Sequence, residues 1–498
     1  MSENPRTHDV VIVGTGFAGV GAAIRLKQAG IDDFVILEKS DDLGGTWRDN
    51  TYPGCACDVP SYLYSFSFEQ KPDWSRMFAP QQEIWDYIRH CIAKYGLEPH
   101  IRYSQELTSA AFDEDVATWQ ILTAQGTGYT ARAVIAGFGP LHIPRYPDVE
   151  GLDTFEGATF HSAQWDHDHD LSGERVAVIG TGASAVQFIP QVRKDAAQVD
   201  VYQRTPSWIV GKPDREIGSF ERSLYRRLPI AQRAVRNAIY WALELRALGF
   251  AVHPRFMKPL EKQARRLIAK QVKDPELRDK VTPSYDIGCK RLLISNDFYP
   301  ALASDNVDLV TDGIQRVTPD GIVGNDGVER KVDTIIYGTG FDVVGNLTRA
   351  KVVGRGGIEL AEAWERDGAS AHLGISVSGF PNFFLIIGPN TGLGHTSMIF
   401  MIERQVEYIV KTLTALEHRG DAYADVRPEA ERAFTTKVRS KLSGSVWEAG
   451  CSSWYLDDEG RPVTVWPYFT FKYWADTRRF REGEYEFGRA KVEAASRV

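Results

Sequence analysis

The chain is short of cysteine, has no long apolar run and carries no basic excess, and each shortage removes a class of function. Five cysteines in 498 residues are few, and odd in number, so no disulfide framework is expected and a reducing cytoplasm fits. The most apolar helical stretch, AIYWALELRALGFAV, carries Glu244 and Arg246 and is too interrupted to span a bilayer. The start, MSENPRTHDV, is polar and runs straight into an apolar strand, so no signal peptide is expected. Lys+Arg number 58 against 66 Asp+Glu, a net charge of −8, which speaks against a nucleic-acid partner. No low-complexity tract is evident, and no metal site is expected. A hydrophobic content of 43% and a charged content of 25% suit a soluble globular protein, and the length suggests two or three domains.

What the chain does have is glycine at fixed spacing behind two apolar runs. The first is VVIVGTGFAG, with Gly14, Gly16 and Gly19; the second is VAVIGTGASA, with Gly180, Gly182, Ser184 and Ala185. With 44 glycines available, three at this spacing arise by chance roughly 0.3 times in such a chain. The setting adds what the glycines alone lack, because each loop follows a short strand-like run and precedes a helix-like one. The first Gly makes the tight turn and the second lets backbone approach a pyrophosphate. The third position allows close helix–strand packing, with the helix N-terminus facing the anion.

The charges that follow separate the two sites. Glu38 ends FVILE, 24 residues after Gly14, and Arg204 ends VDVYQR, 24 residues after Gly180. A carboxylate accepts hydrogen bonds from ribose hydroxyls and repels a 2′-phosphate, whereas a guanidinium does the reverse. The first site is therefore expected to hold FAD and the second NADPH. Two nucleotide sites on one chain suggest that electrons pass from one cofactor to the other.

The expected fold is α/β, with two Rossmann-like dinucleotide-binding domains and the NADPH domain inserted into a discontinuous FAD domain. Residues 1–145 form the first part of the FAD domain, 146–375 the NADPH domain, and 376–498 the second FAD part with a closing segment. Positions 212–288 are expected to be a helical insert rich in Arg and Lys, as in RSLYRRL and KQARRLIAKQVKD. A solvated helical face and a membrane-surface or partner-binding face are both compatible with that charge run. Gly338, Thr339 and Gly340 form a tight turn near a cofactor or a domain crossing. NFFLIIGPNTGLGHTS is a buried strand with a Gly-rich loop, and the helix after it could face the flavin pyrimidine ring. His395 in that loop stays unassigned between ligand binding, proton relay and a simple loop hydrogen bond.

Two further motifs lie around these loops. Between them stands FEGATFHSAQW, with Phe155, Gly157, His161 and Trp165, followed by Asp166. Nearer the start, GGTWRDNTYPGCACD contains Gly44, Gly45, Trp47, Tyr52, Pro53, Gly54 and Asp58. On these motifs the chain resembles the type I Baeyer–Villiger monooxygenases, within the flavin-containing monooxygenases, over most of its length. The resemblance implies FAD and NADPH as cofactors and O2 and a small ketone, or a sulfide, as substrates. One O2 oxygen is inserted next to the carbonyl through a C4a-peroxyflavin, giving an ester or lactone. It implies contacts to FAD from Gly45, Thr46, Trp47, Asp58 and Tyr64. The 2′-phosphate of NADPH would meet Arg204, Thr205 and Lys290. Arg291 of CKRLLISNDFY would lie over the flavin and pair with Asp58, and Trp454 would close on NADP⁺. The residues after Trp454 depart from the family's Gly-Ala-Asn pattern, which leaves the shape of the closing loop open.

The chemistry so implied needs a cation beside the peroxide and the developing oxyanion, in a site closed to water. Arg291 suits it, since a guanidinium keeps its proton at working pH, and Asp58 would orient it. His161 and Trp165, four residues apart on a linker, are read as packing a domain hinge. Three other functions are compatible with two nucleotide sites on one chain. A heteroatom monooxygenase is disfavoured by Trp165 and the Lys290–Arg291 pair. A flavin disulfide reductase would use Cys55 and Cys57, but a CxC bridge is strained. A nucleotide-binding regulator would not need Arg291 and Asp58.

Overall fold

The computed structural model describes residues 5–343, 345–443, 445–448, 455–457 and 459–491. Its first strand, β1 (Arg6–Val13), begins exposed and ends in the fully buried run VVIV. A strand buried on both faces is what a central parallel position requires. β1 lies parallel between β2 (Phe34–Leu37) and the later strand Gly128–Ala136. The helix α1 (Phe17–Gln28) follows the first glycine loop, with Gly16 as its N-cap. With Ile101–Arg102 as β3, Leu107–Asp113 as β4, Thr118–Thr123 as β5 and Gly128–Ala136 as β6, the order across the sheet is Lys351–Val353, β4, β5, β6, β1, β2, β3. Phe383–Leu385 pairs parallel with β6.

This sheet therefore collects strands from both sides of the second nucleotide unit. It resumes at Lys351–Val353, parallel to β4, ahead of the expected boundary at 376. The sequence hides that return, because a three-residue strand running into Gly354, Gly356 and Gly357 shows no alternation.

The second sheet has the order Val307–Val310, β9 (Gln198–Tyr202), β8 (Arg175–Ile179), Thr334–Tyr337 and β7 (Ala158–His161), every pairing parallel. Two short helices and one long one support the site: α2 (Thr46–Asp49), α3 (Gln81–Lys94) and α4 (Ala183–Val192), the last leading from the second glycine loop. Between the paired strands Ile209–Val210 and Leu293–Ile294 the chain makes a helical excursion. It consists of α5 (Ser219–Arg227), α6 (Pro229–Glu244), α7 (Lys258–Gln271) and α8 (Pro275–Val281). Because the excursion leaves and returns beside one strand pair, Lys290 and Arg291 arrive next to the end of the second sheet. Among the described residues, no helix is long and apolar enough to cross a membrane. No group of three or more metal-ligating side chains lies together there either.

Candidate active site between two glycine loops

The first loop is closed on one side and open on the other. Gly14 has φ +89°, and a Cβ there would lie 2.8 Å from the Gly137 carbonyl oxygen. A Cβ on Gly19 would come within 1.8 Å of the Gly14 carbonyl oxygen, so α1 can pack this close only with glycine. Gly16 differs, since its Cβ would meet nothing nearer than Gly45 Cα at 3.9 Å. That open side, at the start of α1, has room for a pyrophosphate against bare backbone.

Glu38 follows β2 directly and is 3% exposed. It accepts from the Thr15 amide at 3.0 Å and the Thr15 hydroxyl at 2.6 Å, from the Ser40 amide at 3.0 Å, and from Arg48 Nη1 at 2.8 Å. Burial pushes its carboxyl up, but Arg48 and these donors outweigh burial and hold it below the usual carboxylate range. Arg48 lies inside the GGTWRD motif, but nothing in the sequence marks it, because its role depends on the buried Glu38 carboxylate. Gly45, with φ +54°, brings its own Cβ position within 3.2 Å of Gly16 Cα, so the two motifs touch through backbone. Thr46 opens α2, and Trp47 is buried, donating from Nε1 to the Tyr64 hydroxyl at 3.2 Å. Tyr64 in turn meets Phe17 of α1 edge-on at 5.3 Å.

The second loop repeats the first. Gly180 has φ +109°, and a Cβ on it would stand 2.5 Å from the Gly338 carbonyl oxygen, whereas one on Gly182 would meet only that oxygen at 3.8 Å. Ala185 is fully buried against Gly338. Ser184 sits beside the Tyr52 hydroxyl, which donates to Gln187 Oε1 at 3.0 Å. Gln187 also donates to the Ala56 carbonyl at 2.9 Å, tying α4 to the loop that carries Asp58. A Cβ on Gly54 would press to 2.8 Å from the Gln187 carbonyl oxygen. This clasp between motifs more than a hundred residues apart leaves no local sequence signal.

Beyond the second loop stand Arg204 and Thr205. Burial lowers the Lys290 ammonium below its usual range, and the nearby Arg204 charge lowers it further. The Arg204 charge thus acts on Lys290, and two neighbouring cations are a chemistry suited to a compact anion.

Arg291 and Asp58 are brought together across 233 positions. Arg291 donates from Nε at 3.0 Å and from Nη2 at 2.5 Å, both to Asp58 Oδ2. The Asp58 charge is the main reason the guanidinium is held above its ordinary value, with burial opposing. The two line a cavity with Leu243, Met257 and Leu260 of the helical excursion and with Gly394, His395 and Thr396 of the late glycine loop. The His395 side chain is 4% exposed and lies 3.2 Å from Glu244 of α6, whose side chain is 2% exposed. Glu244 also accepts from the Thr470 amide and hydroxyl. His395 thus fastens the excursion to the glycine loop at the wall of the cavity. Tyr455 lies near Arg291, with burial pushing its hydroxyl up to about 12. Trp454 lies outside the described residues.

The FEGATFHSAQW segment takes a different place. A Cβ on Gly157 would stand 2.3 Å from the Asp333 carbonyl oxygen, so β7 can lie where it does only with glycine. Phe155 packs on that glycine and on the core of the second sheet. His161 ends β7 fully buried, with Nδ1 accepting from the Ala163 amide at 3.1 Å, and burial lowers it to about 4. Trp165 packs against Phe160 at 5.1 Å and Phe188 of α4 at 5.4 Å. Both side chains serve the second sheet and its helix. Cys55 and Cys57 are buried and unbridged. Burial pushes the Cys55 thiol up to about 12 and Cys57 up as well. A reductase thiol pair needs the opposite shift.

Known proteins resemble this arrangement. A family described as pyridine nucleotide-disulphide oxidoreductase matches residues 11–218. A Baeyer-Villiger monooxygenase of Pseudomonas aeruginosa is 49% identical over 98% of this chain and 93% of its own. One of Streptomyces coelicolor is 46% identical over 98% of this chain and 94% of its own. The crystal structure of OTEMO in complex with FAD and NADP superposes with a TM-score of 0.87 at 28% identity, covering 98% of this chain and all of that one.

Proposed function

The chain belongs to the Baeyer–Villiger monooxygenase family, and we propose that it converts a small ketone to an ester or lactone beside the Arg291–Asp58 pair. It is an NADPH-dependent flavoprotein with FAD as its second cofactor. Bound FAD, once reduced by NADPH, supplies activated oxygen from O2.

The residues would divide the remaining work. The backbone of Gly14, Gly16 and Gly19 cradles the FAD pyrophosphate, and Gly45, Thr46, Trp47, Asp58 and Tyr64 surround the rest of the cofactor. Glu38 receives the adenosine ribose. Its four acceptor positions are already filled, so a ribose hydroxyl displaces Arg48 or the Thr15 hydroxyl. Gly180, Gly182, Ser184 and Ala185 do the same for NADPH, with Arg204, Thr205 and Lys290 around its 2′-phosphate.

The observation that carries the reading is the Arg291 guanidinium, fixed by two hydrogen bonds to one Asp58 oxygen at the wall of a cavity. When a nucleophilic oxygen adds to a ketone, the carbonyl oxygen gains negative charge. A permanent, pre-oriented cation stabilises that charge without reorganisation. Asp58 holds the fork in place, and Leu243, Met257 and Leu260 keep water from the carbonyl.

The test is Arg291→Ala, loaded with FAD and supplied with NADPH, O2 and a ketone panel. NADPH consumption should persist while ester yield falls by roughly two to three orders of magnitude. Normal ester yield would remove Arg291 from the reaction.

A further inference from the structure

The helical excursion turns an apolar face outward that the fold does not use. α6 is anchored from its inner side: the buried Arg236 donates to the Tyr62 and Leu63 carbonyls, and Gln232 donates to the Lys71 carbonyl. Its outer face carries Ile230, Ala234, Ala238, Trp241 and Leu245, all exposed, where a surface helix ordinarily shows polar residues. Ile230 is 68% exposed, Leu245 65% and Trp241 55%. The patch extends to Phe471, whose ring lies 6.2 Å from Trp241, and Phe220 of the preceding helix α5 is itself 80% exposed.

Arginine surrounds it. Residues 212–288 hold 17 Lys and Arg against nine Asp and Glu, a net +8 within a chain of −8. From Ser219 to Met257 the only carboxylates are Glu221, ion-paired with Arg215, and the buried Glu244. Arg227 and Arg233 are exposed beside the apolar stripe; Arg226, also exposed, pairs with Asp73 at 2.9 Å, Arg222 donates to the Ser75 carbonyl, and Arg246 lines the cavity beside Arg291.

We propose that this face docks the enzyme on an anionic lipid bilayer, with Ile230, Trp241 and Leu245 entering the interface and the arginines meeting headgroups. The charge selects this occupant over a second copy of the chain. A two-fold contact through the face would set arginine against arginine, whereas anionic headgroups neutralise it. α6 also supplies Leu243 to the cavity beside Arg291, so docking face and cavity share one helix.

The test is flotation of the FAD-loaded enzyme with vesicles of phosphatidylglycerol and phosphatidylcholine, and with pure phosphatidylcholine. Anionic vesicles should capture the protein and neutral ones should not, and raising salt from about 0.1 to about 0.5 M should release it. Trp241→Glu and Ile230→Glu should each cut capture about tenfold while keeping FAD content and the wild-type sedimentation coefficient. No capture by anionic vesicles, or capture indifferent to both substitutions, overturns the proposal. So does a stable dimer in sedimentation that Trp241→Glu splits, which would assign the face to a second copy.

Discussion

On the proposed reading, a single side chain, Glu38 at one and Arg204 at the other, divides the labour between two otherwise similar loops. Glu38 is buried and held charged by Arg48 and Thr15, and on the proposed reading it takes a ribose hydroxyl when one of these donors gives way. Arg204, whose charge reaches Lys290, would have the opposite preference. If the second site reads the 2′-phosphate through this pair, Arg204→Ala should raise the KM for NADPH by about ten- to a hundredfold. The KM for NADH should hardly move. Steady-state kinetics with both nucleotides checks this, and an unchanged preference would place the phosphate elsewhere. The placement of Glu38 and Arg204 just after a strand was legible because their spacing from a glycine loop is set by one βαβ unit. Arg48, Gln187 and the His395–Glu244 pair were not legible. Their partners lie across the fold, or, for Arg48, the value of the residue depends on a carboxylate that only burial makes demanding.

At the scale of elements, β7 shows how a functional motif can act through packing. Gly157 lets the strand lie against the Asp333 carbonyl, and His161 at its end is buried in its neutral form. His161 is held near 4 against an ordinary value of 6.5. Between these values the unfolded chain binds a proton that the folded strand refuses. Its contribution to stability is therefore complete above pH 6.5 and is lost as pH falls toward 4, a difference of about 3 kcal/mol. His142, also lowered to about 4 by burial, adds to the same slope. Chemical denaturation of His161→Gln across this range should show a shallower loss than wild type. An unchanged slope would mean that His161 is not held neutral. The helical character of the excursion was readable from its sequence, but the three-residue strand Lys351–Val353 was too short to announce itself.

At the scale of the molecule, a mixed sheet, antiparallel where β5 meets β4 and β6, and a parallel one share one chain so that three distant segments meet. The loop of Asp58 comes from the first sheet's early strands, Arg291 from the end of the excursion, and His395 from the chain's return to the first sheet. Gln187 and Glu244 fasten these pieces across the divide. Discontinuity could be anticipated from the order of the glycine loops and the late strand–loop–helix pattern. Which helix would wall the cavity could not, because that depends on how α6 lies on the first domain through Arg236.

The most direct measurement of the central claim uses heavy-oxygen-labelled dioxygen. The FAD-loaded enzyme, NADPH and a panel of ketones would be incubated under the labelled gas and the products weighed by mass spectrometry. One labelled oxygen in an ester or lactone for each NADPH consumed is the expected result. NADPH consumption with every label recovered in hydrogen peroxide or water, and none in an ester from any ketone, would contradict the account.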